Sequence, residues 1–301
     1  MAKLFMTIGL PASGKSTYCS ERICKDTVYL SSDVLREKLL GDVNDQSKNG
    51  FIFNEMFKRT VSALKEGKNV YYDATNLNRK KRINFLKQLP ECEKICLMFC
   101  TPFYLCCERN SKRRRIVPEE AMERMYKSFQ PPHRAEGFDM IVYISNLEEK
   151  RENLSDLMRK NIETPHDNPY HKLSCGEHCL KVEQEIQKNM LYEDISQEDR
   201  FYLSLAAKYH DLSKFKCKTF KNFNGQYTST AHYYSHEKVS AYDWLSHSEI
   251  YNEKTELVTN LIENHMILYS DEKLKNWTRS FYGEQFWQYL KILHSADIAA
   301  I

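Results

Sequence analysis

The sequence lacks any apolar stretch long enough to cross a bilayer. The longest, around Ile95 to Cys107, is broken by Thr101 and Pro102, so no membrane association is expected. Nine glycines and eight prolines in 301 residues are too few for a collagenous or low-complexity chain. A net charge of +3 is too small to imply a nucleic-acid partner by bulk basicity. There is no Cys-x-x-Cys, and Cys96 and Cys100 lie in an apolar run that reads as core rather than metal site. The opening MAKLFMTIGL has no cleavage-site pattern, so no signal peptide is expected. Ten cysteines without such a signal imply a reducing compartment, and a cytoplasmic protein is expected.

What is present divides the chain in two. At roughly 150 residues per domain, the length suggests about two domains. In the first half, short apolar runs alternate with charged amphipathic segments. Leu4–Ile8, Val28–Leu30, Asn69–Tyr72, Lys94–Phe99 and Met140–Ile144 read as strands. That alternation predicts βαβ units and a parallel sheet. The second half reads as helical, with 3.6-residue spacing in Glu198–Tyr209, Glu237–Leu245, Lys254–Asn264 and Gln285–Ile298, and few strand signals. Between the halves, Leu147–Lys160 reads as a polar helix and TPHDNP as an irregular link. The expected organisation is a domain at 1–146, a linker at 147–165 and a second domain at 166–301.

Residues Gly9 to Ser16, GLPASGKS, fit G-x-x-x-x-G-K-[ST] between a predicted strand and a predicted helix. Glycines let backbone N–H groups close on a phosphate, and the helix N-terminus adds positive potential. Gly9, Ser13, Gly14, Lys15, Ser16 and Thr17 are the candidate ATP-binding residues, or binders of another nucleoside triphosphate. Lys15 would neutralise charge on the β/γ-phosphates, and Ser16 would offer a hydroxyl to Mg²⁺. Three later segments bear on which P-loop enzyme this is. SSDVLREKL puts Asp33 and Arg36 at i, i+3, where a general base and a phosphate ligand would share a helix face. A helix-start Asp beside an ordinary surface Arg fits that spacing equally well. In YYDATNLNRKKR, Asp73 falls at the carboxyl end of a strand, where parallel sheets place ligands. CCERNSKRRR could form an arginine-bearing lid. Two basic runs stand out locally, Arg79 to Arg82 and Arg109 to Arg115. Each is either a solvated helix face or a track for a strand's phosphates.

GLPASGKST, SSDVLR, DATNLNRKKR and ERNSKRR occur in the order and spacing of phage-type polynucleotide 5′-kinases, and residues 1 to 145 resemble that family. The resemblance implies an α/β P-loop kinase domain, adenylate-kinase-like with a lid. By it, Asp33 is the general base for a 5′-hydroxyl, Arg36 a ligand of the acceptor phosphate, and Arg113 the lid arginine. Asp73, Asn76 and Arg79 of the DATNLNR segment are expected at the substrate. Ala74 between Asp73 and Thr75 departs from the family's Asp-Thr pair. The phosphatase that often follows this kinase carries an Asp-x-Asp nucleophile, and this chain has none.

Nine of the ten histidines follow residue 160. Each alone reads as an ordinary helical histidine. As an ordered set with aspartates they suit Mn, Fe, Co, Ni or Mg better than thiolate-bound zinc. The order H…HD…D, at His178, His210, Asp211 and Asp297, resembles the HD phosphohydrolase superfamily over residues 166 to 301. The resemblance implies an all-α HD domain holding one or two divalent transition metals, with His236 and His265 as the further ligands of two-metal members. Lys214 matches the position after HD-x-G, with Ser213 in place of the glycine. His171 is a candidate contact to the substrate phosphate. His232 reads as surface or supporting, and His133, His166, His247 and His294 as structural.

The pair of domains resembles bacterial and phage end-healing enzymes that join an HD domain to a polynucleotide kinase, although the HD module comes first in the bacterial fusions. The expected function is ATP-dependent phosphorylation of 5′-OH ends with removal of 2′,3′-cyclic or 3′/2′-phosphates. The expected partners are nucleic-acid ends, RNA favoured over DNA, and a separately encoded ligase. Two alternatives stand beside it. One is a nucleotide-pool enzyme joining a small-molecule kinase to an HD nucleotidase. The other uses the HD domain as a nucleotide sensor.

Overall fold

In the computed structural model, residues 1–145, 149–169, 171–189, 193–249 and 251–301 are described. They form two compact units. The first is Met1–Met125 with Pro132–Asn146, and the second is Tyr126–Pro131 with Leu147–Ile301.

The first unit is built on a parallel sheet of five strands: β1 (Lys3–Ile8), β2 (Thr27–Ser31), β3 (Asn69–Asp73), β4 (Glu93–Phe99) and β5 (Met140–Ile144). Their order is β2-β3-β1-β4-β5. The central strands are apolar on both faces because helices cover both: Leu4, Met6, Ile8, Cys96 and Met98 are buried on one face and Ile95, Leu97 and Phe99 on the other. The covering helices are α1 (Lys15–Ser20), α2 (Ser32–Leu40), α3 (Asn49–Lys65), α4 (Arg79–Leu86), α5 (Phe103–Ser111) and the start of α6 (Glu119–Lys127). Strand order reverses at β1, between β3 and β4. The carboxyl end of β1 therefore opens into a crevice, and Gly9 to Gly14 follow it there.

The second unit is helical. It comprises α7 (Leu154–Ile162), α8 (Cys175–Ile186), α9 (Gln197–Tyr209), the single turn α10 (Lys214–Cys217), α11 (His236–His247), α12 (Thr255–Asn264), α13 (Glu272–Tyr282) and α14 (Glu284–Ala299). The expected linker helix begins later than its polar pattern suggested, at Leu154, where Asn153 and Asp156 form a capping box. Residues 147 and 148 of that expectation lie outside the described residues. Gly176 fixes how α8 meets α7. A Cβ there would sit 2.5 Å from the Ile162 nitrogen, so only glycine permits the approach. One feature departs from the helical pattern. An antiparallel hairpin, β6 (Lys218–Lys221) and β7 (Tyr227–Tyr233), stands between α10 and α11. No helix among the described residues is long and apolar enough to cross a membrane.

Candidate active sites

The phosphate loop is held by its own backbone. Gly14 caps α1 with φ +97°, a left-handed conformation natural to glycine. Thr101 Oγ1 donates to Ser13 O at 3.0 Å, tying the loop to the end of β4. Lys15 Nζ donates to Leu10 O at 2.6 Å and Gly9 O at 3.1 Å. Burial pulls the Lys15 pKa below its usual value, against the opposing charge of Asp73. Ser16 Oγ donates to Asp73 Oδ2 at 2.7 Å, and Tyr29 OH donates to the same oxygen at 2.6 Å. The Asp73 carboxylate thus faces the loop hydroxyl, a position that suits the Mg²⁺ shell of a nucleotide site as well as the substrate contact expected of it.

Asp33 opens α2 and is 40% exposed in its side chain, so a hydroxyl can reach it. Arg36 Nη1 binds its Oδ1 at 2.9 Å, and Arg115 Nη1 binds its Oδ2 at 2.6 Å. Arg36 is otherwise buried and fixed by Asn49 Oδ1 at 2.8 Å. Arg115 was not singled out in the sequence. Arg109 also approaches the loop, its Nη1 4.0 Å from the position of a Cβ on Gly14. Arg113 is exposed, and its charge is one of those acting on Lys15. In sequence these arginines are indistinguishable members of one run.

Two further candidates are held by the protein itself. Asn76 gives its amide to Thr7 O at 2.7 Å, bracing the segment after β3 against β1. Arg79 is 3% exposed and lies 3.6 Å from Glu136. Arg82 is buried on the same carboxylate, with its Nε 2.6 Å from Oε2. Only Lys80 and Lys81 of that run face solvent. A buried carboxylate draws the two arginines inward, since an unpaired charge there would be costly.

In the second unit, side chains from five helical elements converge. The ring of His210, just past α9, places Nδ1 2.7 Å from Ala207 O. His236 Nδ1 is 2.6 Å from Tyr233 O, and His265 Nδ1 is 2.8 Å from Ile262 O. A carbonyl can only accept, so each Nδ1 donates and each neutral ring presents a bare Nε2 lone pair. Those lone pairs point at carboxylates. His236 Nε2 is 3.1 Å and His265 Nε2 3.4 Å from Asp211 Oδ1. His210 Nε2 is 3.5 Å from Asp211 Oδ2 and 3.6 Å from Asp297 Oδ1. His236 Nε2 and His265 Nε2 are 3.2 Å apart. Buried acceptors this close repel unless a cation or proton lies between them. His178, His210 and Asp297 form one group of donor atoms within 4.8 Å of one another, and His210, Asp211 and His265 a second. This N/O donor set fits a divalent transition metal.

The electrostatics describe the same demand in protons. Burial opposes charging His210, yet Asp211 and Asp297 raise its pKa to about 10. Burial would raise the Asp211 pKa, but Lys214, His210 and His236 hold it well below the usual range. Lys214 Nζ donates to Asp211 Oδ2 at 2.7 Å. His171 stacks on His166 at 4.2 Å and meets the His178 ring edge-on at 5.3 Å, at the border of the cluster. His166, expected to be only structural, is in the same ring stack. His247 instead sits on Asp243 O at 2.8 Å, and His133 caps a 3-10 turn.

Residues 4–132 match a family model described as an AAA domain. Over 146 residues the chain is 30% identical to a protein named transcription factor bHLH140 from Arabidopsis thaliana, covering 46% of this chain and 15% of that protein. Over 145 residues it is 28% identical to L-seryl-tRNA(Sec) kinase of Methanococcus maripaludis, covering 46% of this chain and 56% of that one. The chain thus spans less than two thirds of either curated relative. A solved structure of the Pnkp1/Rnl/Hen1 RNA repair complex aligns at 22% identity and a TM-score of 0.37, covering 42% of this chain and 43% of that one. A second structure of that complex aligns at 24% identity and a TM-score of 0.34, covering 39% and 40%. Such slight structural likeness carries no chemistry across. With the loop geometry above, the first unit is a kinase-like P-loop domain.

Proposed function

We propose that the protein heals nucleic-acid ends, phosphorylating 5′-hydroxyls in its first unit and hydrolysing terminal 2′,3′-cyclic or 3′/2′-phosphates in its second. The observation that carries it is the gathering of imidazole Nε2 atoms around Asp211, an arrangement that suits a divalent cation. In the first unit, Asp33 accepts the proton of the attacking hydroxyl as its oxygen bonds to the γ-phosphorus and ADP departs. Arg36 and Arg115, now shared on Asp33, hold phosphate oxygens, and Lys15 leaves its loop carbonyls for the triphosphate. Ser16 and Asp73 hold Mg²⁺.

In the second unit, one or two divalent ions such as Mn, Co, Ni or Fe would supply Lewis acidity and an acidified water. His178, His210, Asp211, His236, His265 and Asp297 hold them. Lys214 and His171 stand beside that set and offer N–H groups to a phosphate. One relative is named as a kinase of L-seryl-tRNA(Sec), which supports an acceptor carried on RNA. RNA is therefore favoured over DNA, with a separately encoded ligase as consumer of the healed ends.

One observation favours a second reading, the nucleotide-pool enzyme. Burial of Arg79 and Arg82 halves the basic run expected to follow a strand. One assay separates the readings. Oligonucleotides with 5′-OH or 2′,3′-cyclic phosphate ends, and free nucleosides and nucleotides, are incubated with ATP and each divalent metal. End healing requires both reactions on oligonucleotides. Turnover confined to free nucleosides and nucleotides would overturn it.

A further inference from the structure

The hairpin β6–β7 exposes apolar rings at a density that folding does not explain. Phe223 is 89% exposed and Tyr227 80%, the two most exposed aromatic side chains among the described residues. Phe220 on β6 and Tyr234 just after β7 add 39% and 42%. These rings are ordered against one another without being covered. His232 stacks on Tyr234 at 5.6 Å with planes 7° apart, and Phe223 meets Tyr234 edge-on at 6.2 Å. Lys221 Nζ lies 5.1 Å from the centroid of the Tyr227 ring.

Charge narrows the partner. Residues 214–234 hold four lysines and no acidic residue. Lys214, Lys216 and Lys218 are paired with Asp211, Asp243 and Asp167. Lys221 makes no ion pair among the described residues, so the exposed rings carry an uncompensated cation. Flat rings beside a lysine, with Asn222, Asn224 and Gln226 at the turn, suit a strand of bases and phosphates. Bases stack on such rings whatever their sequence, and lysine meets the backbone.

Position narrows it again. β7 ends three residues before His236, and its last residue, Tyr233, belongs to the wall of the metal-type cluster. Tyr233 OH donates to His166 O, and Lys214 Nζ lies 5.2 Å from the Tyr233 ring centroid. The hairpin is short: Lys218 pairs with Tyr233 and Lys221 with Tyr227, and Phe223 folds back onto Tyr234, next to that wall residue. The exposed rings therefore form a stacking surface beside the cluster.

We propose that the β6–β7 hairpin is a stacking platform for single-stranded nucleic acid, on which Phe223, Tyr227 and Tyr234 hold bases while the strand's terminal phosphate reaches the His/Asp cluster. This rests on the end-healing reading for what happens at the cluster, but not for the binding itself.

The test uses the full chain in two measurements. A single-stranded RNA carrying 5-iodouridine near a 3′-phosphate end is photo-cross-linked, and the adduct is mapped by mass spectrometry. Hydrolysis is then compared on a 2′,3′-cyclic phosphate oligonucleotide and a 2′,3′-cyclic mononucleotide, using wild type, Phe223→Ala/Tyr227→Ala and Phe223→Trp/Tyr227→Trp. Both sites are exposed, so the fold is not at stake. Cross-links within residues 220–234 are expected. The alanine pair should raise KM for the oligonucleotide about tenfold per ring, leave the mononucleotide KM unchanged, and be rescued by the tryptophan pair. Cross-links on the hairpin with no hydrolysis of either substrate would support the platform and sink the end-healing reading. Hydrolysis with equal KM changes on both substrates, or cross-links only elsewhere, would overturn the platform alone. A changed sedimentation coefficient in the alanine pair with unchanged cross-linking would overturn it too, assigning the rings to self-association.

Discussion

The phosphate loop and the histidine–aspartate cluster treat buried charge in opposite ways. In the loop, Lys15 rests on the carbonyls of Gly9 and Leu10, and Ser16 on Asp73. Its charged groups have partners supplied largely by eight contiguous residues. In the cluster, every Nδ1 of His210, His236 and His265 is pinned by backbone, and the Nε2 atoms face one another and two carboxylates. Leaving buried polar atoms unsatisfied costs about 1–3 kcal/mol each. The loop can therefore be complete before its ligand arrives, whereas the cluster is complete only with a cation or extra protons.

The largest break in that comparison should come from Asp211→Ala, which removes the carboxylate shared by His210, His236 and His265. Disturbing groups behind a metal ligand already costs 10–100-fold, so loss of a shared ligand should lower phosphate release by more than about 10³-fold. Transfer of ³²P from ATP to 5′-OH ends should continue at the wild-type rate. Loss of both activities in folded protein would mean one coupled site.

Lys15→Ala is the converse. Removing one preorganised donor from a developing charge costs about 10²–10³-fold in kcat. The 5′-labelling rate should fall by that much while hydrolysis of the cyclic phosphate is unchanged. Asp73→Asn should share the defect and relieve partly at high Mg²⁺, because Asp73 lies on Ser16. An Asp73→Asn defect that Mg²⁺ cannot relieve, with a raised acceptor KM, would favour the substrate role that the sequence suggested.

How far each site could be read beforehand follows from the same contrast. A P-loop is a contiguous string whose backbone does the binding, so its residues are visible in order, and alternating apolar runs gave the parallel sheet around it. Identities within a basic run are not visible. Arg79 and Arg82 turn inward only because Glu136, over fifty residues away, waits there, and neither spacing nor charge announces it. Arg115 of the other run lies on Asp33, past the turn that follows α5, and nothing in the run marks it out. The cluster's members could be named through the resemblance, but not the pinned Nδ1 atoms, since the carbonyls of Ala207, Tyr233 and Ile262 carry no signature. The hairpin did carry a signal, Asn224-Gly225 between β-branched and aromatic residues, and the surrounding helical periodicity obscured it.

Metal removal should separate the units in stability rather than rate. A ligand at about 100 times its dissociation constant stabilises the folded state by about 2.7 kcal/mol. Calorimetry with and without EDTA should therefore move one unfolding transition and leave the other in place, and Mn²⁺ or Co²⁺ should restore it. Ten free cysteines make thiol oxidation a confounding source of such a shift, so the scan is run in reductant. An EDTA scan that superimposes on the untreated one would show the cluster to be satisfied by protons alone.

The smallest expected effect separates ordinary acid sensitivity in the first unit from either site. His133 Nδ1 accepts the Ala135 N–H at 3.1 Å, an arrangement open only to a neutral ring. Burial first, then the charges of Arg79 and Arg134, depress its pKa from 6.5 to about 4. A depressed histidine pKa means that the unfolded chain takes up the proton more readily. The contribution of His133 is therefore complete above pH 6.5 and is lost as the pH falls toward 4. One proton gives a slope of at most about 1.4 kcal/mol per pH unit. His133→Asn keeps an acceptor at the cap and removes the titration. Denaturant titrations across that interval should show a shallower pH slope for the transition that EDTA leaves in place, and no change in the one that EDTA moves. An unaltered slope would place the acid sensitivity of the first unit in its carboxylates instead.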